Sequence, residues 1–248
     1  MEKEIKDINL IDLNYSVGLM GESDGGKTSI AHYFYTGEYL GKNTLSTIGL
    51  DYHFKYVSFK DKTIKITLWD TAGQEKFGSL SAGSLRGVQA LLLVFSLTPI
   101  MSTREKEKYD KAKGEEKSKI QKDYTEKTFK TVKFWLEQFY SFNKQEEKII
   151  FLIGNKCDDV ENRIIKIKDA KKFAEEYNLE YFETSAKTGK NIKKVFSSLT
   201  LKLMEIYPSE GKLSKRNSKN VVLGETKERN GCCQNIISYK LILNTKNK

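Results

Sequence analysis

The feature that most limits the fold of this chain is a glycine-rich segment at 21–28, Gly-Glu-Ser-Asp-Gly-Gly-Lys-Thr. It follows a predicted strand at 14–20 and precedes a predicted helix at 28–36. A strand, a G-x-x-x-x-G-K-T turn and a helix in this order form a phosphate loop, whose backbone N–H groups surround phosphate oxygens. The segment therefore predicts a nucleoside triphosphate site, which kinases and ATPases also have.

The residue types of the loop have a chemical reason. Lys27 is a compact cation for the β- and γ-phosphates, and the hydroxyl of Thr28 is a Mg²⁺ ligand. The start of the helix adds the positive end of its dipole. We expect phosphate contacts from the whole loop: Ser23, Asp24, Gly25, Gly26, Lys27, Thr28 and Ser29.

The rest of the chain alternates between predicted strands and helices, which predicts an α/β class with a mostly parallel sheet. Nearly continuous apolar runs at 90–97 and 149–154 are typical of parallel strands buried on both faces. The pair Asp61–Lys62 predicts a hairpin turn. Further strands are predicted at 51–59, 63–69 and 179–182, and helices at 128–142, 168–177 and 191–206.

Two tetrapeptides after strands select the base. In Asn155-Lys156-Cys157-Asp158, the aspartate can accept hydrogen bonds from guanine N1–H and the exocyclic amine, neither of which adenine offers in that arrangement. The stem of Lys156 can lie over the base. In Thr184-Ser185-Ala186-Lys187, backbone N–H groups can meet guanine O6. Either tetrapeptide alone is an ordinary polar turn, but together behind a phosphate loop they predict guanine binding.

Between these motifs lies Trp69-Asp70-Thr71-Ala72-Gly73-Gln74. We expect Asp70 to hold Mg²⁺ through a water and the Gly73 N–H to meet the γ-phosphate. Gln74 can orient the attacking water. Gln74 and Lys27 are the predicted catalytic residues. Upstream, Thr47 offers a second hydroxyl to Mg²⁺ when the γ-phosphate is present.

This set of motifs resembles the Ras superfamily, and within it most resembles the Rab branch. The branch assignment rests on four stretches: Ile48-Gly49-Leu50-Asp51-Tyr52, Lys65-Ile66-Thr67-Leu68-Trp69, Lys76-Phe77-Gly78-Ser79-Leu80 and Leu93-Val94-Phe95-Ser96-Leu97-Thr98. The chain departs from the family at Ser84-Leu85, where paired tyrosines are usual, and at Ser96, where aspartate is usual.

The resemblance implies a Ras-like domain at 14–206 with a six-stranded, mostly parallel sheet and helices on both faces. It implies a switch that binds GTP or GDP with Mg²⁺ and hydrolyses GTP slowly until an activating protein supplies an arginine. Tyr39 matches the aromatic residue that stacks on the guanine edge. The implied partners are an exchange factor, a GTPase-activating protein, effectors in vesicle traffic, and prenylation and membrane-extraction factors. The implied protein is a monomer that cycles between the cytosol and the cytoplasmic face of an endomembrane.

Three other functions are less consistent with the sequence. Gln74 and Asp158 disfavour a metabolic phosphoryl-transferring enzyme, and Gln74 also disfavours a GTP-bound scaffold that no longer cycles. A Ras-like GTPase of another branch stays open as an alternative. The net charge of +10 would suit a nucleic-acid binder, but the lysines are mixed with glutamates along the chain and no basic and aromatic motif is present. We expect no nucleic-acid partner.

The segment 1–13 is a predicted N-terminal extension without an apolar signal-peptide core, and no apolar run reaches the ~18–20 residues that span a bilayer. A Lys- and Glu-rich insertion at about 99–128 lacks an apolar face. It is expected to be a solvated helix or a disordered loop that adjusts partner choice and contributes little to folding.

Asp24 stands where the family usually has glycine, beside the phosphates. Two interpretations are about equally favoured. Its carboxylate repels the triphosphate, by about 1 kcal/mol at ~4 Å in water, and speeds nucleotide release. Alternatively, it points to solvent or pairs with a lysine.

The segment 207–248 is a predicted flexible tail that contains Cys232 and Cys233. In the Rab family such a pair carries two geranylgeranyl groups, and two lipid chains give stable membrane attachment where one is marginal. Here the residues QNIISYKLILNTKNK follow the pair. Either the pair is an unmodified coincidence, or the native chain ends at or just after Cys233. We expect the second.

Overall fold

The computed structural model describes residues 11–41, 47, 49–59, 61–73, 82–98, 101–144 and 148–208. Within these residues the strands are β1 Leu13–Met20, β2 Leu50–Phe59, β3 Lys62–Thr71, β4 Ala90–Ser96, β5 Ile149–Asn155 and β6 Glu180–Glu183. The helices are α1 Lys27–Thr36, α2 Thr103–Lys111, α3 Gly114–Tyr140, α4 Ile167–Glu176 and α5 Ile192–Ile206.

In the described part of the chain, the six strands form one sheet in the order β2-β3-β1-β4-β5-β6. Only β2 and β3 are antiparallel, and the other neighbours are parallel. Asp61 joins β2 to β3 with φ of 59°, a left-handed conformation that short polar residues tolerate in tight turns. The arrangement confirms the predicted α/β class, the mostly parallel sheet and the hairpin.

Alternate residues of each central strand face opposite sides of the sheet and enter two separate cores. Leu92 and Val94 of β4 pack with side chains of α1 and α5, whereas Leu91, Leu93 and Phe95 pack with side chains of α3 and α4. The prediction that helices cover both faces is therefore confirmed.

The helix predicted at 128–142 in fact begins at Gly114, inside the insertion. The prediction followed an apolar stripe that begins near Phe129 and includes Val132, Trp135 and Phe139. The helical turns before Phe129 are mostly charged. A charged helical turn has no apolar period to identify it, so the sequence pattern missed the first half of α3.

The prediction that the insertion lacks an apolar face is wrong. The insertion is helical, which was one of its two expected states. However, Met101, Tyr109 and Tyr124 pack against the core beneath α3 and α4. Ala112, between α2 and α3, is 4% exposed. The insertion is therefore docked on the domain, and its charged residues are those that face solvent.

Among the described residues, no helix is both long enough and apolar enough to cross a membrane.

Candidate nucleotide site

The phosphate loop leaves β1 at Gly21 and enters α1 at Lys27, and two of its glycines are required by geometry. A Cβ atom at Gly21 would overlap the carbonyl oxygen of Val94, and one at Gly26 would overlap the side-chain amide of Asn155. Both residues also have positive φ, 143° and 91°, which side chains disfavour. The loop is therefore pressed against the carboxyl ends of β4 and β5.

Lys27 lies beneath this loop and is 5% exposed. Its ammonium group donates to the carbonyl oxygens of Gly21, at 3.0 Å, and Glu22, at 2.8 Å. Burial lowers the pKa of Lys27 to about 8, although the carboxylates of Asp70, Glu22 and Asp24 act in the opposite direction. A buried cation beside a loop of N–H groups forms a site for an anion. Glu22 was not predicted from the sequence, because its contribution is a backbone carbonyl.

The three predicted Mg²⁺ residues come together. The Thr28 hydroxyl donates to Asp70 Oδ2 at 2.5 Å and lies 2.8 Å from the hydroxyl oxygen of Thr47. Thr47 Oγ1 lies 3.4 Å from the same carboxylate oxygen. Burial raises the pKa of Asp70, opposed in part by the hydrogen bond from Thr28 and the charge of Lys27.

These oxygens fit Mg²⁺. The second oxygen of Asp70, Oδ1, is buried and has no hydrogen-bond partner among the described residues. No group of three or more His, Cys, Asp or Glu side chains able to hold a metal occurs in the part of the chain that the structure describes. A metal at Asp70 would thus rely on hydroxyl and water oxygens, which suits the hard Mg²⁺ ion.

Gly73 passes directly over the phosphate loop. A Cβ atom there would overlap the Lys27 ammonium and would lie 2.5 Å from the backbone nitrogen of Ser23. Only glycine permits this approach, and it brings the Gly73 backbone against the phosphate loop and the Lys27 ammonium. Gln74, which follows it, lies outside the described residues, as do Cys232 and Cys233.

Asn155 joins the phosphate loop to the base motifs. Its side chain is 2% exposed, and its amide nitrogen donates to the Gly25 carbonyl at 3.0 Å. Its amide oxygen accepts from the Thr184 hydroxyl and the Ala186 backbone N–H, each at 3.2 Å. Asn155 therefore positions the surrounding segments, and it uses both ends of its amide to do so.

Asp158 and Lys187, one from each base motif, approach each other with Oδ2 and Nζ 3.9 Å apart. The Asp158 side chain is 19% exposed. Ser185 and Ala186 are buried, and the Ser185 hydroxyl oxygen accepts from the Thr188 N–H at 3.0 Å. The two motifs are thus adjacent at one edge of the sheet, as predicted from their positions after parallel strands.

Asp24 pairs with Lys156, with Oδ2 and Nζ 3.0 Å apart. Both residues have left-handed backbones, with φ of 57° and 67°. Of the two interpretations offered for Asp24, the structure shows pairing with a lysine. The lysine is the one predicted to cover the base, so the phosphate loop and the base motif are tied by a charge pair.

Three predicted contact residues remain: Tyr39, Ser23 and Ser29. Tyr39 follows α1 and is 38% exposed. Among the described residues, no hydrogen bond or ring contact links it to the base motifs. Ser23 is exposed in the loop, and Ser29 is half-buried in the first turn of α1.

Both departures from the family pattern are accommodated locally. The Ser96 hydroxyl donates to the Thr98 carbonyl at 2.7 Å and accepts from the Thr98 N–H at 3.2 Å, which closes a turn after β4. Leu85 is fully buried, and a Cβ atom at Gly18 would lie 2.6 Å from its Cδ1. Leu85 therefore fills space that Gly18 leaves beside β1.

Comparison with known proteins identifies the family of this chain. The Ras family model matches residues 16–123 and 120–205. Ras-related protein Rab-26 of Bos taurus is 32% identical over 202 residues, which are 80% of this chain and 68% of that protein. Rab-37 of Mus musculus is 30% identical over 225 residues, 90% of this chain and 87% of that protein.

A plant relative, RABD2a of Arabidopsis thaliana, is 29% identical over 224 residues, 90% of this chain and 97% of that protein. The chain spans about two thirds of the length of the Rab-26 relatives that it matches. The residues that the family model matches include Lys27, Asp70, Asn155 and Asp158. The chain therefore belongs to the Ras family and is a Rab-like small GTPase.

Proposed function

We propose that this GTPase is a guanine-nucleotide switch in vesicle-mediated membrane traffic. The observation that carries the proposal is the Asn155 amide, which holds the phosphate loop and the Thr184–Lys187 motif on either side of β5. This arrangement joins a triphosphate site and a guanine-selective site at the carboxyl edge of one sheet, where open α/β sheets bind ligands.

In the proposed complex, Asp158 accepts from the guanine base, the Lys156 stem covers it, and the N–H groups of Ser185, Ala186 and Lys187 meet its carbonyl. Tyr39 stacks on the exposed edge. The phosphates lie in the loop from Ser23 to Ser29, above the Lys27 ammonium. Burial of that ammonium supports this role, because burial lowers the pKa of Lys27 despite the nearby carboxylates, and the negative charge of a bound phosphate would raise it.

Thr28 and Thr47 would hold Mg²⁺ directly, and Asp70 would hold it through a water. The ion supplies positive charge to the phosphate oxygens. The close approach of Gly73 to the loop supports a contact between its N–H and the γ-phosphate. Loss of the γ-phosphate on hydrolysis would then release the segments around Thr47 and Gly73, and effectors would distinguish the two states.

For hydrolysis, Gln74 orients the water, and Lys27 stabilises the charge that develops on the phosphates. We propose a slow intrinsic rate, on the order of 10⁻⁴–10⁻³ per second, that an activating protein accelerates by supplying an arginine. An exchange factor would replace GDP by GTP.

Single-turnover phosphate release from the GTP-loaded chain tests this proposal. Gln74→Leu should bind GTP as tightly as the native chain and hydrolyse it roughly tenfold or more slowly, because the water loses its orienting group. A native chain that retains GTP without hydrolysing it would indicate a scaffold that no longer cycles. Equal rates for both proteins would contradict the role of Gln74.

We propose that the domain spans 14–206, with 1–13 as an extension and 207–248 as a tail, and that it acts as a monomer. In this account Cys232 and Cys233 are prenylated, so that the chain cycles between the cytosol and an endomembrane with the help of extraction factors. Peptide mass spectrometry of protein from its source cell should show two prenyl groups. Recovery of unmodified Cys232 and Cys233 would contradict this attachment.

A further inference from the structure

The inserted helices form a self-supporting pair. Ser102 caps α2: its hydroxyl accepts from the Glu105 N–H at 3.3 Å, while the Glu105 carboxylate accepts from the Ser102 N–H at 2.8 Å. The Lys117 ammonium of α3 lies 4.7 Å from the ring centroid of Tyr109 in α2. The capping bonds stabilise the start of α2, and the contact between Lys117 and Tyr109 joins α2 to the first turns of α3.

The pair touches the segment that follows the guanine motif, residues 158–165, called here the specificity loop. Gln121 of α3 donates from Nε2 to the Ile164 carbonyl at 2.7 Å. Lys106 of α2 donates to the Asn162 amide oxygen at 3.1 Å, and the Asn162 amide nitrogen donates to Asp159 Oδ1 at 2.8 Å. A chain of side chains thus runs from the insertion to the neighbour of the base-selecting Asp158.

The specificity loop is held on two other sides. The N–H groups of Ile164 and Ile165 donate to the Leu97 carbonyl after β4, at 3.1 and 3.2 Å. Arg163 forms a two-pronged bond to the Glu183 carboxylate at the end of β6, with N–O distances of 2.9 and 2.5 Å. The insertion provides the third support, on the side facing α2 and α3.

Packing reinforces these hydrogen bonds. Ile164 and Ile165 are buried in the same core that Tyr109 and Tyr124 of the insertion pack against. Cys157, inside the guanine motif itself, belongs to that core as well. Movement of the inserted helices would therefore change the packing of Cys157, before Asp158, and of Ile164 and Ile165, after it.

We infer that the insertion is a brace for guanine recognition, in which Gln121 and Lys106 are positioning residues that hold Asp158 in its base-binding place. The inference rests on the proposed guanine-nucleotide function. A group that is held in its binding geometry beforehand loses less freedom when the ligand arrives, so the complex is tighter. Loss of the brace leaves Asp158 more mobile and shortens the time that the nucleotide stays bound.

The test measures dissociation of fluorescent GDP from the full chain carrying Gln121→Leu and Lys106→Met together, which removes both donors with little change in volume. We expect release roughly threefold to tenfold faster, the effect of losing one or two hydrogen bonds of ordinary strength. Lys106→Met alone, at an exposed position, is a second variant and should show a smaller change in the same direction. Lys119→Met, at an exposed position of α3, is the matched control and should leave the rate unchanged.

A second readout separates positioning from general loosening of the fold. Inosine diphosphate lacks the exocyclic amine and so makes one hydrogen bond fewer to Asp158. The double variant should therefore speed GDP release more than inosine diphosphate release. If the double variant speeds the release of both nucleotides equally, or if GDP release is unchanged in both variants, the insertion is not a brace. Either result would leave the proposed function intact. Failure of the native chain to bind GDP would overturn the proposed function as well.

Discussion

At the scale of single residues, the Arg163–Glu183 pair shows how charge stabilises the edge of the site. Burial alone would raise the pKa of Glu183, but hydrogen bonds from Arg163 and Tyr181 outweigh burial, and the pKa is lowered from its ordinary value of 4.5. Tyr181 donates to Glu183 Oε1 at 2.9 Å, and its own pKa is raised by burial and by this carboxylate. The folded state therefore favours the ionised carboxylate.

A carboxyl group with a lower pKa in the folded state stabilises the fold above its unfolded pKa, and this stabilisation is lost as the pH falls through the folded pKa. Glu183→Gln should lower the free energy of unfolding by about 1–3 kcal/mol at pH 7, because Arg163 loses its ionic partner. The difference between the two proteins should shrink once the pH falls below about 4.5. Urea denaturation of both proteins at pH 7 and at acid pH measures this difference in the free energy of unfolding. A difference that does not depend on pH would contradict an ionised Glu183 paired with Arg163.

The site residues could be predicted from the sequence because the residue types of each motif indicate its chemistry. The contacts that these residues make with one another could not be predicted. The partner of Asp24 depends on two left-handed backbone positions, Asp24 and Lys156, that no local pattern indicates. Asn155 was expected at the nucleotide, and its amide bonds to Gly25, Thr184 and Ala186, which no sequence pattern indicated. Such bonds join residues far apart in the chain, so they become visible only once the strands are assembled.

At the scale of elements, the insertion shows where pattern analysis fails. Its aromatic residues are few and are spaced among lysines and glutamates, so the segment has the composition of a solvated helix. Tyr109 and Tyr124 nevertheless reach the core because α2 and α3 lie alongside it. The expectation that the insertion contributes little to folding therefore rested on a wrong premise, the absence of an apolar face.

Tyr124→Ala should accordingly lower the free energy of unfolding by about 1–3 kcal/mol, less than for a fully buried aromatic residue because Tyr124 is only partly buried. The control Lys119→Ala, at an exposed position of α3, should change it by less than about 0.5 kcal/mol. Chemical denaturation of the nucleotide-free proteins measures both values. Equal stability of Tyr124→Ala and the native chain would show that the insertion is not part of the core.

At the scale of the whole molecule, the burial of apolar strands determines the sheet, and the sheet determines where the nucleotide site lies. The apolar runs of β4 and β5 indicated central parallel strands, and parallel strands bring their carboxyl ends to one edge. Asn155 and the segment after Thr184 follow neighbouring strands at that edge, while Gly21 leaves β1 two strands away. The fold class and the meeting of the motifs were therefore predictable, whereas the length of α3 depended on tertiary contacts.

Guanine selection by Asp158 is the central claim of this account, and competition among nucleotides for the purified chain tests it most directly. The native chain should bind GDP and GTP with Mg²⁺ and strongly exclude ADP and ATP. Asp158→Asn should shift the preference toward xanthine nucleotides, whose base carries a carbonyl where guanine has an amine, so that it faces the amide donor of asparagine. A native chain that retained ATP as well as GTP, or an Asp158→Asn protein that still preferred guanine over xanthine, would contradict it.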